Sequence, residues 1–266
     1  MDGRVDYPGY LRLSVLLDQQ RVIGPPGAHD EILFIAVHQV YELWMKVLLF
    51  ELSDARDRML AGDARMPRLR LRRCREIEQL LIQQFGVLDT MTQQGFAEFR
   101  PALGSASGGE SVQFMEIETL SGVTSPRWAS GPTRLAPSDL DRLRRRQDEP
   151  TLWDGYLALL AQAGFDVSTQ ERRRAAFAEI ARGREGDQAL WLMWELTEAL
   201  VDHDQTWSTW RARHALAAER QIGARPGTAG SAGGSYLWSR VSARFYPELW
   251  EARGDLGTAA GTVHGM

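Results

Sequence analysis

Apolar residues recur at intervals of three and four along most of the chain, and that period predicts helices rather than strands. From Asp30 to about Leu60 the repeat runs with no Gly or Pro to break it. Pro67 opens a second long segment, read to about Thr92, because proline is well tolerated in a first helical turn. Residues 101–135 are rich in Gly, Ser and Pro and read as a long loop or short pieces. Ser138-x-x-Asp141 and Thr151-x-x-Asp154 each pair a hydroxyl with an acid one turn on, the pattern of a helix N-cap. Gly164 then suits a helix end, Ser168 or Thr169 a new start running to about Arg184, and Asp187 the head of a last long helix reaching Gln221. Val, Ile and Thr are sparse, while Leu, Ala, Glu, Arg and Gln dominate, a composition that favours helix. The expectation is an all-α fold in a single domain spanning residues 1–266, with a possible helical insertion near 120–185.

Composition narrows the function classes. The 266 residues are enough for one sizeable core. A net charge of -4 argues against general nucleic-acid affinity. The arginine clusters at 65–75 and 142–146 alternate with leucine at helical spacing and read as solvated helix faces. The first residues carry no apolar signal-peptide core, and no uninterrupted apolar run approaches the roughly 20 residues that span a bilayer. Cys74 is the only cysteine, so no disulfide forms within the chain, which fits a reducing cytoplasm. Nine tryptophans suit either a helical core of large side chains or a pocket for a flat aromatic ligand.

Five histidines carry most of the candidate chemistry. His203 and His214 share a helix face in the stripe Leu200, His203, Trp207, Trp210, His214. Eleven residues at about 1.5 Å rise separate them by roughly 16 Å, too far to share one metal ion. By spacing alone, a histidine in such a stripe is more often a hydrogen-bonded core residue than a ligand. A haem ligand needs the same setting: a neutral imidazole on a rigid helix, facing an apolar cavity, with its other N–H held by an acceptor. His38 lies among Leu33, Phe34, Ile35, Ala36 and Val37, so burial should hold it neutral. It is either a structural histidine paired with Glu42 or a base in a dry pocket. The glycine-rich stretch 223–235 reads as a mobile loop, able to close over a ligand.

These pieces together resemble the tryptophan 2,3-dioxygenases, in one collinear order from Tyr7 to about Trp250. Tyr7-Pro-Gly-Tyr10-Leu11-Arg12-Leu13 is similar to a family segment that reaches into a neighbouring subunit's pocket. His29-Asp30-Glu31-x-Leu33-Phe34-Ile35-x-x-His38-Gln39-x-x-Glu42-Leu43-Trp44 resembles the block with the distal histidine and the phenylalanine that packs on the substrate ring. Val87-Leu88-Asp89-Thr90-Met91-Thr92 and Phe99-Arg100-x-x-Leu103-Gly104-x-x-Ser107-Gly108 match a helix end and the loop after it. Trp210-Arg211-x-Arg213-His214 resembles the segment of the proximal haem ligand. Gly227-Thr228-x-Gly230-Ser231-x-Gly233 resembles the loop that closes over the substrate, its threonine meeting the ammonium group.

The resemblance implies haem b ligated by His214, O2 as co-substrate and an indole amino acid as substrate. It also implies a homotetramer, with Trp210, Gly227 and Gly230 near the cofactor, His38 as the catalytic residue, and Tyr7, Tyr10, Leu11, Phe34, Met115 and Thr228 near the substrate. One departure concerns specificity: Met115 stands where the resemblance places an arginine that pairs the substrate carboxylate. A thioether cannot make that charge-assisted pair. Arg127 and Arg244 are the candidate replacements. The expected activity is therefore oxygen insertion at C2/C3 of the indole of tryptophan or a substituted tryptophan, with ring opening to an N-formylkynurenine-type product. The alternatives are monooxygenation of a derivative such as β-methyltryptophan to an oxindole, and a haem-binding sensor or carrier without catalysis.

Overall fold

The computed structural model describes residues 6–104, 106–123, 135–225 and 233–258. Within them the chain forms twelve α-helices and two single 3₁₀ turns, with no strand. In chain order these are α1 (Tyr7–Leu11), α2 (Leu13–Leu16), α3 (Glu31–Leu60), α4 (Met66–Leu88), α5 (Gln93–Phe99), α6 (Val112–Ser121), α7 (Pro137–Asp148), α8 (Leu152–Gln162), α9 (Gln170–Gly183), α10 (Gln188–Ile222), α11 (Gly234–Val241) and α12 (Pro247–Thr258). The 3₁₀ turns are Arg100–Leu103 and Gly108–Glu110.

Three long helices, α3, α4 and α10, pack together and carry the core. Their buried positions follow the three-and-four period: Tyr41, Met45, Leu48, Leu52, Ala55 and Met59 on α3; Leu71, Cys74, Ile77, Leu81 and Phe85 on α4; Leu196, Leu200, Trp207 and Trp210 on α10. Burying a leucine-sized side chain contributes roughly 1.5–3 kcal/mol, so this seam outweighs the modest helical propensity of the segments. By length and composition α3 could cross a bilayer, but in this fold it is a core helix carrying buried Glu51 and Arg56. Gly155 lets α8 close on α3, since a Cβ there would stand 3.1 Å from the Arg56 carbonyl oxygen. Asp204 of α10 accepts the backbone N–H groups of Phe245 (3.0 Å) and Tyr246 (3.2 Å) and the indole N–H of Trp250 (2.9 Å), which anchors the start of α12.

Several expected boundaries hold. Thr151 and Asp154 cap each other's backbone N–H at 3.1 and 2.8 Å. Gly164 takes the left-handed conformation (φ 95°) just past α8. Thr169 and Asp187 cap α9 and α10. Others move. The cap position of α7 is Ala136, with Pro137 as its first residue, so Ser138 lies inside the helix. The second long helix stops at Leu88, and Thr92 instead caps α5 through the Gly95 N–H (2.9 Å). The largest difference is α6, in the stretch read as a loop. Ser111 caps it, accepting from the Phe114 N–H (3.2 Å), and Gly122 at φ 113° ends it. Residues 116–121 are all buried, so α6 shows no polar face and no amphipathic period for a sequence pattern to reveal.

Candidate functional site

Between α3, α6 and α10 lies a cavity of about 790 Å³, within the range of small-molecule and cofactor pockets. The α3 wall presents Phe34, His38, Tyr41 and Met45. His38 Nδ1 lies 2.7 Å from the Phe34 carbonyl oxygen. A carbonyl can only accept, so Nδ1 carries the proton and Nε2 keeps its lone pair. Burial lowers the His38 pKa, against smaller opposing effects of that hydrogen bond and of Glu42. The ring is thus neutral at pH 7, with a fixed tautomer. The expected direct pair with Glu42 is not formed. The Glu42 carboxylate accepts from Gln113 Nε2 instead (2.7 Å). Phe34 packs on the His38 ring (centroids 4.1 Å apart) and on Phe96 and Phe99 (5.8 and 5.4 Å).

The α10 wall presents Trp210 and His214. The His214 ring packs on Trp210 (5.1 Å between centroids) and Phe85 (6.2 Å). Burial first, then the proximity of His38, lowers its pKa to about 4. No hydrogen bond to either ring nitrogen is formed among the described residues, so the acceptor expected for its second N–H is missing there. Just before it in the chain, Arg213 donates to Asp89 (2.7 Å) and ties this stretch of α10 to the end of α4.

The other histidine of the stripe belongs to the core. His203 is fully buried, its Nδ1 2.6 Å from Glu78 Oε1 and its Nε2 2.9 Å from Ser121 Oγ. This serine–histidine–acid row resembles a hydrolase triad, but all three side chains are sealed from solvent. It joins α4, α6 and α10.

Met115 lines the cavity from α6, as its position in the resemblance implied. Arg244 does not replace it: its guanidinium donates to Ser208 Oγ (2.6 Å) and stacks on Trp250 (4.6 Å), away from the cavity wall. Arg127 lies outside the described residues. The guanidinium that sequence reasoning overlooked is Arg100, just after α5, which lines the cavity along with Phe34 and Phe96. The signal was present, since Phe99-Arg100 opens one of the resembling blocks. Two more arginines, Arg211 and Arg240, line the wall beside Glu118. Tyr7, Tyr10 and Leu11 do not reach the cavity of their own chain and stand 72%, 76% and 40% exposed. Gly227, Thr228 and Gly230, with the central part of the loop read at 223–235, lie outside the described residues.

Comparison with known proteins identifies the family. The family model described as tryptophan 2,3-dioxygenase matches residues 1–164 and 184–256. A tryptophan 2,3-dioxygenase of Nocardioides sp. is 45% identical over 258 residues, covering 96% of both chains. Those of Herpetosiphon aurantiacus and Myxococcus xanthus are each 36% identical over 96% of this chain, covering 100% and 90% of their own length. The matched residues skip 165–183, a stretch that contains α9. The chain belongs to the tryptophan 2,3-dioxygenase family.

Proposed function

We propose that the protein is a haem-dependent oxygenase that uses O2 to open the indole ring of tryptophan between C2 and C3, giving an N-formylkynurenine-type product. One observation carries the reading. Two histidines from different helices line one cavity, both held neutral by burial, and one has its tautomer fixed. The donor set fits haem b: an iron needs an unprotonated imidazole nitrogen, and His214 with a pKa of about 4 offers one at neutral pH. Haem bound there supplies the activation of O2.

The chain's own residues orient the substrate and keep water out. His214 would hold the haem iron, and Trp210 and Phe85 fix its ring. Nε2 of His38 accepts the indole N–H, because its other nitrogen is already committed to the Phe34 carbonyl. Phe34, backed by Phe96 and Phe99, packs on the indole face. Arg100, on the same side of the cavity as these rings, pairs the substrate carboxylate, which leaves Met115 as apolar wall. Thr228 meets the ammonium group, with Gly227 and Gly230 allowing the loop to approach. Tyr7, Tyr10 and Leu11, exposed on their own chain, complete the pocket of a neighbouring subunit in a homotetramer, which fits a soluble, cytoplasmic enzyme.

Titration of the apoprotein with haem tests this reading. Wild type is expected to take one equivalent and show a Soret band of a histidine-ligated haem, which His214→Leu loses. Equal uptake with an unchanged spectrum in the variant would overturn it.

A further inference from the structure

Where α6, α10 and α11 meet, one carboxylate faces two guanidinium groups at the cavity wall. Glu118 Oε1 accepts from Arg211 twice, at Nε (3.1 Å) and Nη2 (2.5 Å), and Arg211 Nη1 donates to the Ala243 carbonyl (2.8 Å). Arg211 is buried and fully committed. Arg240 is not. Its Nη2 stands 3.8 Å from Glu118 Oε2, an ion pair without a hydrogen bond, and its side chain is 31% exposed. No hydrogen bond of Arg240 to another described residue competes for it. The local sum is one positive charge in excess. In a partly desolvated wall such an excess favours a bound anion, and the planar fork of a guanidinium matches a carboxylate.

The position adds to this. Tyr236, Leu237 and Arg240 of α11 all line the cavity, so this helix turns one face toward it. Glu118 lies one turn after Met115 on α6, and both line the same cavity. Arg240 therefore brings a guanidinium from α11 to the stretch of wall where α6 carries a thioether.

We infer that Arg240 binds a propionate carboxylate of the cofactor, through the positive charge that Glu118 leaves unbalanced at this wall. This rests on the haem reading of the cavity, with the substrate carboxylate already assigned to Arg100. Arg240→Gln and Arg240→Lys, loaded with haem, would be compared with wild type by the rate of haem transfer to excess apomyoglobin. Melting of the apoproteins and L-tryptophan binding to the loaded enzymes would be followed in parallel. The expected result is haem release faster by about tenfold in Arg240→Gln, partly restored in Arg240→Lys, with unchanged apoprotein melting and unchanged tryptophan binding. Unchanged haem release overturns the inference. So does unchanged release with weakened tryptophan binding, which would place the substrate carboxylate at Arg240. Wild type that takes up no haem overturns the reading of the cavity and this inference together.

Discussion

His214 should make the apoprotein lose stability as the pH falls, and the size of that loss follows from its burial. In the unfolded chain a histidine titrates near pH 6.5, whereas in the fold His214 titrates at about 4. Between these values the unfolded state binds a proton that the folded state refuses. Stability is therefore fully present above about pH 6.5 and drains away as the pH falls toward about 4. At about 1.4 kcal/mol per unit, a shift of roughly 2.5 units amounts to about 3 kcal/mol over the whole window. Roughly 2 kcal/mol of this is lost between about pH 7.5 and about pH 5. His38 is shifted in the same direction by burial and adds to the slope, but it is present in both proteins of a comparison. Urea unfolding of apo wild type and apo His214→Leu at several pH values isolates His214. The variant is expected to lose about 2 kcal/mol less than wild type across that interval. Parallel pH profiles would refute the reasoning, since they would mean that His214 is solvated and titrates normally in the folded chain.

The remaining expectations concern the carboxylate site and the sealed core histidine. Arg100→Gln should raise the KM for L-tryptophan by about 30-fold or more, from a loss of about 2–5 kcal/mol of charge pairing, while binding of tryptamine, which lacks the carboxylate, stays as in wild type; equal effects on both would remove Arg100 from that role. His203→Ala should cost about 3–5 kcal/mol in urea unfolding, because it leaves Glu78 buried without its partner. The haem spectrum of the folded His203→Ala variant should not change, and a shifted Soret band would tie this row to the cofactor.

Much of the fold was legible because its main helices are long and uninterrupted. The segments that became α3, α4 and α10 carry a three-and-four apolar repeat over several turns, so small errors at their ends did not obscure them. Helix α6 was illegible for the opposite reason. It is short, preceded by Ser107, Gly108 and Gly109, and buried on every side from Glu116 to Ser121, so composition pointed to a loop. His38 and His214 stood out as rare residues in apolar settings. That one would find a backbone acceptor and the other none among the described residues could not be read from spacing. The partners of His203 lie 125 and 82 residues away, and no local pattern encodes such pairs. Reasoning from Met115 led to Arg127 and Arg244 rather than to Arg100, because the approach of α5 that brings Arg100 to the cavity is a tertiary event. Tyr7, Tyr10 and Leu11 line no pocket among the described residues of their own chain, and the role proposed for them requires a second copy.

The most direct test is to reduce the haem-loaded protein under anaerobic conditions, add L-tryptophan and then labelled O2, and read the product by mass. The account expects a product heavier than tryptophan by two oxygen atoms, both from O2, with the indole ring opened. Haem uptake with no oxygenated product, or a product carrying a single oxygen atom, would contradict it.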